Sequence, residues 1–352
     1  MPDWLSSMQQ TFEHYSVNPH TWKDDKQIDN VTSSSISRDS DAETLGSATI
    51  DIMESVGECY IRTYLVTNQN GVTEKHPLGT HLVQTPSSSF DGKTRSVSMD
   101  AFTPLLELKE DSPPIGYYIP KNTNVMDIAC RLTREHARAP VIPTESEVTL
   151  TSDFVAYTDD SWLTYLSDLI SNAKYSFGLD EMGRILFLPD QDTASLQPVW
   201  TYTDDNSSIL LPSFDMEHDL YGVPNVVEVI YSEGNMSIQA RVVNDDPNSP
   251  TSTVNRGREI LYRDTNPSIL GYTTQLRLNE YAERLLREKS SLEYTVTYTH
   301  GYCPVRVGDC VRLNYTRAGL TDIKAKVLSQ DIDCNTGCLV TETAKFTMKL
   351  WG

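Results

Sequence analysis

The sequence from about residue 28 to residue 101 alternates apolar and polar side chains in short runs. A period of two residues is typical of β-strands that bury one face. We predict five strands, which begin at Val31, Ser47, Cys59, Thr80 and Ser96. Turns that contain glycine, Gln69-Asn70-Gly71 and Asp91-Gly92-Lys93, separate several of them. Short antiparallel strands with polar outer faces predict a small barrel or sandwich.

A helical pattern follows the proline-rich break at Asp111-Ser-Pro-Pro-Ile-Gly116. Val125, Ile128, Ala129 and Leu132 share one helical face, and either Thr123 or Asn124 can cap the start of this helix. A second predicted helix begins after Ser161, and a strand, a turn and a strand cover Lys174 to Pro189. These elements predict a compact α+β module in the middle of the chain.

The β pattern returns after Pro198. Strands are predicted over 225–231 and 237–243 around the turn Glu233-Gly234-Asn235, and three more strands end the chain. Between them, residues 273–289 carry a broad apolar helical stripe, formed by Leu276, Leu278, Tyr281, Ala282, Leu285 and Leu286. The predicted fold class is mainly β, with two small antiparallel β-barrels flanking an inserted α+β module. The predicted domains are an N-terminal arm or helix (1–24), a first barrel (25–112), the module (113–198) and a second barrel (199–352).

Large aromatic side chains lie near both ends of the chain. Trp4, Leu5, Met8, Phe12 and Tyr15 are spaced as in a short amphipathic helix, or an arm that docks on a neighbour. Buried aromatics often anchor protein interfaces. The candidate interface residues are Trp4, Phe12, Tyr15, Trp22, Phe346 and Trp351. Packing of each against its own domain is the open alternative.

The chain is strongly acidic, with 49 Asp and Glu against 29 Lys and Arg and a net charge of −20. Such a balance disfavours tight binding of nucleic acid through a basic surface. Two interpretations remain open, namely solubility alone and an acidic wall that lets DNA pass without binding it. The sequence has neither a run of eighteen apolar residues nor a basic and apolar leader at its start, so we expect no membrane anchor and no Sec signal.

Motifs for catalysis are missing from the sequence. It lacks G-x-S-x-G, H-E-x-x-H, a P-loop and G-x-G-x-x-G after a strand. The seven histidines are scattered, and strand alternation predicts that His76 and His81 face opposite sides. We predict no catalytic residue, no cofactor and no enzymatic activity, although an acidic pair for glycoside hydrolysis stays open because carboxylates are so many.

Four of the six cysteines lie between residues 303 and 338. Zinc ribbons place paired ligands as C-x-x-C, whereas six residues separate Cys303 from Cys310 and three separate Cys334 from Cys338. The second spacing predicts a hairpin in which Gly337 takes the left-handed conformation and the two cysteines lie opposite each other. We predict no metal site. A disulfide between Cys334 and Cys338 is sterically possible, but a reducing cytoplasm would keep both as thiols.

The order of these segments resembles that of bacteriophage tail hub proteins of the baseplate and tail tip. The resemblance runs over nearly the whole chain and rests on no single diagnostic motif. The segments that carry it include Trp22-Lys-Asp-Asp, Thr44-Leu-Gly-Ser-Ala-Thr-Ile-Asp-Ile, Glu58-Cys-Tyr-Ile-Arg, His76-Pro-Leu-Gly-Thr, Trp162-Leu-Thr-Tyr-Leu, Leu179-Asp-Glu-Met-Gly-Arg-Ile-Leu-Phe-Leu-Pro and Arg306-Val-Gly-Asp-Cys-Val-Arg-Leu-Asn-Tyr.

The resemblance implies a homotrimer in which each chain contributes two tube-like barrels to a pseudo-sixfold ring. Such a ring joins the sixfold tail tube, or a distal tail protein, to the threefold tip, spike or fibres. It borders the channel used by the tape measure protein and then by DNA, which passes without specific binding. The implied location is the virion tail tip or baseplate, assembled in the bacterial host cytoplasm. The alternatives are a tail-associated peptidoglycan hydrolase and a receptor- or carbohydrate-binding tail-tip module.

Overall fold

The chain is mainly β in the computed structural model, with 46% of residues in strands and 16% in helices. The structure describes residues 2–53, 56–93, 95–191, 193–205, 208–218, 220–233, 236–265, 267 and 274–348. The helices are α1 (Leu106–Glu110), α2 (Val125–His136), α3 (Trp162–Ser171), α4 (Thr253–Arg256) and α5 (Gln275–Lys289). The strands are β1 (Gln9–Val17), β2 (Asp24–Ile28), β3 (Val31–Asp39), β4 (Gly46–Ile52), β5 (Tyr60–Gln69), β6 (Val72–Phe90), β7 (Arg95–Phe102), β8 (Tyr118–Ile119), β9 (Phe154–Val155), β10 (Tyr175–Leu179), β11 (Ile185–Pro189), β12 (Trp200–Thr203), β13 (Leu210–His218), β14 (Val226–Glu233), β15 (Met236–Val243), β16 (Leu261–Asp264), β17 (Leu292–Gly301), β18 (Cys310–Asn314), β19 (Ile323–Asp333) and β20 (Leu339–Met348).

Thirteen strands form one large sheet. Its order is β13-β17-β20-β19-β3-β4-β7-β6-β5-β1-β2, with β18 paired to β19 and β12 paired to β18. Because β3 pairs with β19, strands of the two predicted β domains belong to the same sheet. The order is open at both ends, so the described residues contain no closed barrel. The organisation into two barrels stays a prediction.

The five predicted strands between residues 31 and 101 are confirmed as parts of β3 to β7. Asn70 and Gly71 connect β5 to β6 with φ angles of 53° and 81°, as expected for a tight hairpin turn. β6 contains a bulge at Leu78, because Thr63 pairs with Gly79 and Tyr64 pairs with Pro77.

The bulge corrects the prediction for the two histidines of β6. His76 lies opposite Leu65 and His81 lies opposite Ile61. Leu65 and Ile61 are four residues apart on β5 and therefore share one face. His76 and His81 thus lie on the same face, and the predicted opposite orientation is wrong.

The N-terminal segment is a strand where we expected a helix or an arm. β1 pairs with β5 without interruption from Gln9↔Asn68 to Val17↔Tyr60. Trp4, Met8 and Phe12 are four residues apart, a spacing that also keeps side chains on one face of a strand. Pairing with the central strand β5 therefore decides in favour of β structure.

The two helices and the hairpin predicted for the middle of the chain are confirmed as α2, α3 and β10–β11, whereas their grouping into an inserted module stays a prediction. The Asn124 side chain caps α2 by accepting hydrogen bonds from the N–H groups of Met126 and Asp127, and Ser161 caps α3 through the N–H of Thr164. Both helices contribute to a core that also contains Phe177, Ile185 and Phe187 of the β10–β11 hairpin.

The structure divides into two compact units, Met1–Phe214 with Tyr298–Thr343, and Asp215–Thr297 with Ala344–Gly352. These units are coarser than the predicted domains, whose boundaries at residues 24, 112 and 198 stay predictions. In the second unit, α5 packs on β14 and β15 and buries Leu278, Ala282 and Leu286. Leu276 is 67% exposed, so its assignment to the buried stripe of this helix is wrong. Among the described residues, no helix has both the length and the apolar character needed to cross a lipid bilayer.

Candidate functional site

The most densely bonded site of the first unit surrounds the tip of the β10–β11 hairpin, residues 180–184. The indole Nε1 of Trp22 donates a hydrogen bond to Met182 O at 2.7 Å, and the hydroxyl of Thr80 donates one to Glu181 O at 3.2 Å. Gly183 has a φ of +71°, and a Cβ at this position would lie 2.7 Å from the Thr80 Cβ. Glycine is therefore required here both by conformation and by close packing.

Arg62 of β5 lies beneath this tip and is only 1% exposed. Its Nη1 contacts Asp24 Oδ1 at 2.6 Å, its Nη2 donates to Met182 O at 3.0 Å, and its Nε donates to the Thr80 hydroxyl at 2.9 Å. A buried guanidinium needs such a set of acceptors, because an unpaired buried charge is strongly destabilising. Arg62 thus fixes the hairpin tip to the sheet.

A second group of charges fixes the same tip from its other side. Glu181 Oε1 lies 2.6 Å from Arg306 Nε and 3.9 Å from Arg38 Nη2. Arg38 also donates to Leu78 O at 2.6 Å and to Gln330 Oε1 at 3.1 Å. Gln330 in turn leads into a fully buried polar cluster.

That buried cluster joins His300 and Tyr298 of β17 to Glu342 of β20. Glu342 accepts hydrogen bonds from the Tyr298 hydroxyl and, at 2.8 Å, from Gln330 Nε2. His300 Nε2 lies 3.4 Å from Glu342 Oε2 and 3.0 Å from the Tyr202 hydroxyl. The side chains of His300 and Glu342 are 0% exposed.

Burial alone would lower the pKa of His300, but hydrogen bonds with Cys303 and Glu342 outweigh it and raise this pKa to about 10. Cys303 Sγ lies 3.9 Å from His300 Nδ1, an arrangement that resembles a cysteine nucleophile and its base. Cys303 is only 2% exposed, however, so solvent does not reach its thiol.

A cleft of about 870 Å³ opens next to the hairpin tip, within the first unit. We call it the module cleft. Its walls are α3 and the β10–β11 hairpin on one side, and the end of β3 with the following turn on the other. His81 of β6 also lines it. Burial lowers the pKa of His81 to about 3, so this imidazole is neutral at physiological pH.

The four cysteines between residues 303 and 338 are all buried free thiols. Gly337 has a φ of +96°, which confirms the predicted left-handed turn between Cys334 and Cys338. Burial raises the pKa of Cys334 to about 12. Within the described part of the chain, no group of three or more His, Cys, Asp or Glu side chains is arranged to hold a metal ion. Residues 305–307 form a loop, and the strand that follows begins at Cys310.

The predicted interface residues lie in different environments. Trp4 and Trp22 are each 8% exposed, Trp4 against His76 and Tyr302 and Trp22 against Tyr60. Phe12 and Tyr15 of β1 are half-buried.

In the second unit, Phe346 is 3% exposed and stacks on Tyr294 at 5.2 Å. Trp351 lies outside the described residues. The sequence analysis missed Arg62 and Glu342, because a single charged residue in a strand gives no signal of burial.

No protein family model and no curated protein sequence matches this chain. Solved structures with the same fold include the tail protein from Neisseria meningitidis MC58, with a TM-score of 0.64, 14% identity and coverage of 96% of this chain and 97% of that one. The 43 kDa tail protein of prophage MuSo2 from Shewanella oneidensis has a TM-score of 0.61 and 13% identity, with coverage of 95% of this chain and 97% of that one. A chain of the Francisella PdpA–VgrG complex has a TM-score of 0.57 and 8% identity, with coverage of 97% of this chain and 58% of that one. The chain thus has the fold of phage tail proteins, which confirms the resemblance at the level of the fold.

Proposed function

We propose that the chain is a structural tail protein of a bacteriophage, the hub at the tail tip or baseplate. The observation that carries the proposal is the similarity to two tail proteins over at least 95% of this chain and 97% of each of theirs.

In this proposal the hub is a homotrimer, and each chain supplies two tube-like barrels to a pseudo-sixfold ring. The ring joins the tail tube or a distal tail protein to the threefold tip, spike or fibre proteins. The ends of the sheet support contacts between subunits. β13 lies at one end and exposes Leu211 and Met216, and an open apolar edge is stable when a neighbour covers it. Trp4, Phe12, Tyr15, Trp22, Phe346 and Trp351 remain candidates for these contacts.

The net charge of −20 supports a channel role, because an acidic lining lets the tape measure protein and then DNA pass without tight binding. The proposed location is the virion, after assembly in the bacterial host cytoplasm. We assign no catalytic activity to the chain, and the burial of the Cys303–His300 pair supports this.

The decisive experiment is to locate the chain in the virion. A fusion tag at the N-terminus, imaged in averaged electron micrographs of tails, should mark a threefold ring at the distal end of the tube. Light scattering of the purified chain should give a trimer, or a monomer that trimerises with its tail partners. A stable dimer, or a tag elsewhere in the virion, contradicts the proposal. Clearing of host cell walls in a zymogram would favour the hydrolase alternative.

A further inference from the structure

The module cleft contains an unpaired strand edge. All five residues of β10 line the cleft, and β11 is the one strand that pairs with β10 among the described residues. The unpaired edge of a strand presents N–H and C=O groups that can bind another chain.

The register of the hairpin shows which backbone groups of β10 are directed away from β11. Asp180 N–H donates to Arg184 O at 3.2 Å, and Asp190 N–H donates to Lys174 O at 2.8 Å. Antiparallel pairing alternates along the strand, so the even-numbered residues of β10 bond to β11. The N–H and C=O groups of Tyr175, Phe177 and Leu179 are therefore directed to the open edge. These three residues make no backbone hydrogen bond to any described residue outside the hairpin.

Small residues keep space open along this edge. Thr164 and Ser167 are exposed on α3, one turn apart, and both line the cleft. At Gly178 of β10 the place of a side chain is filled by Leu188 of β11, whose Cδ1 would lie 2.5 Å from a Cβ there. The cleft therefore offers room for an extended chain and apolar contacts with Leu188, which is 40% exposed. Its volume of about 870 Å³ is in the range of pockets that enclose most of a ligand.

The charge of the cleft selects the chemistry of an occupant. Seven of its lining residues are acidic and three are basic, namely Arg38, Arg306 and Lys326. Both arginines are already paired with Glu181. Glu43 and Asp180 also pair with bases outside the cleft lining, Lys109 and Arg184. The acidic excess that remains favours lysine and arginine side chains, and it comprises Asp39, Asp41, Asp190 and Asp309 against Lys326.

The cleft also holds a buried polar atom without a partner. His81 is 4% exposed, and its Nδ1 accepts or donates no hydrogen bond. Its ring lies directly beside Gly79, where a Cβ would come within 2.5 Å of Cε1. A buried polar atom normally has a hydrogen-bond partner.

We propose that the module cleft binds an extended, basic segment of a partner polypeptide, which adds as a strand to the open edge of β10. Backbone hydrogen bonds with Tyr175, Phe177 and Leu179 supply affinity, and the acidic excess supplies selectivity. This inference does not depend on the hub role, since it rests on the geometry of one unit. The two proposals can therefore fail separately.

The test uses a fluorescent peptide of alternating lysine and valine, about nine residues long, so that it spans β10 and its flanks. Fluorescence anisotropy with the full chain should give a dissociation constant of about 10–100 µM. A peptide with glutamate in place of lysine should bind at least about tenfold more weakly. Lack of binding by the lysine peptide at about 1 mM, or equal binding of both peptides, overturns the proposal.

Two backbone-modified peptides distinguish strand addition from charge attraction alone. One carries N-methyl groups on every valine and the other on every lysine, so the charge is unchanged. A strand directs only alternate N–H groups to the edge that it joins, so one of the two should lose at least about tenfold in affinity and the other should lose little. Equal losses, or no loss in either, contradict strand addition.

Matched variants of the chain locate the site. Ser167→Trp fills the cleft from an exposed helix position and should abolish binding, whereas Asp168→Trp places the same side chain on α3 outside the cleft and should not. Thr164→Trp is a second filling variant, and thermal melting checks that each variant folds. Equal binding by the Ser167 and Asp168 variants refutes the location. A doubled mass in light scattering without peptide would instead identify a second copy of this chain as the occupant.

Discussion

Arg62 offers the sharpest test of how the hairpin tip is fixed to the sheet. Arg62→Met keeps most of the aliphatic volume but removes the charge and every hydrogen bond of the guanidinium. The substitution leaves Met182 O without its 3.0 Å donor and Asp24 without its 2.6 Å ion pair. Because Arg62 is 1% exposed, water cannot replace these contacts from its side.

The expected cost follows from the environment of the two charges. Removal of one partner of a buried ion pair typically costs about 3–5 kcal/mol. The side chain of Asp24 is 33% exposed, so its carboxylate regains some hydration when Arg62 is removed. We therefore expect R62M to lower the free energy of unfolding by about 3 kcal/mol, at the lower end of that range.

The matched control is Lys109→Met, which removes an ion pair of the same unit at its surface. Lys109 Nζ lies 2.6 Å from Glu43 Oε2, but the two side chains are 44% and 52% exposed. An exposed pair contributes about 0.5 kcal/mol or less. The short distance alone would predict equal effects for both variants, whereas burial predicts very different ones.

Urea unfolding measured by tryptophan fluorescence is a suitable assay, because Trp22 contacts Tyr60 and donates to Met182 O at this site. The midpoint for R62M should fall while the slope with urea stays the same. A cost below about 1 kcal/mol, or equal costs for R62M and K109M, would refute the assignment of Arg62 as the main anchor of the tip.

Three further predictions concern other parts of the first unit. Folding raises the pKa of His300 from 6.5 to about 10, so protonated His300 stabilises the fold fully below pH 6.5, and this stabilisation is lost as the pH rises to 10. The free energy of unfolding in urea should therefore fall over this pH range in the native sequence, and H300Q should lack this fall. G183A should lower the free energy of unfolding by about 2 kcal/mol more than G319A does in the same assay. Both glycines have φ near +75°, but only at Gly183 would a new Cβ collide with Thr80, and equal losses would contradict this reasoning. Titration with a thiol reagent should find one reactive cysteine in the native chain, the half-buried Cys59, and six reactive cysteines in urea. A count of only four reactive cysteines in urea would indicate a disulfide.

Local elements of this fold could be predicted from the sequence because their signals are local. α2 and α3 each have a capping side chain and an apolar face within fifteen residues, and the Asn70-Gly71 pair encodes its own hairpin. The strand β1 was missed because its apolar spacing fits two periods, and only pairing with β5 chooses between them.

The candidate site could not be predicted, because its contacts join residues far apart in the chain. Arg62 meets Met182, and His300 meets Glu342, and no periodic pattern records either pair. The bulge at Leu78, which turns His76 and His81 to one face, likewise has no signal in the sequence. Charge and spacing exclude some functions, but the geometry of a site depends on which strands become neighbours.

The pairing of β3 with β19 has a consequence for biosynthesis. Ser35 lies opposite Asp333, so one edge of β3 stays without its partner until the ribosome has synthesised β19. Contacts between such distant residues form slowly, and an unpaired edge exposed meanwhile promotes aggregation. Recombinant yield should therefore improve at low temperature or with chaperones. Truncations that remove β19 should be insoluble even though they leave every earlier strand intact.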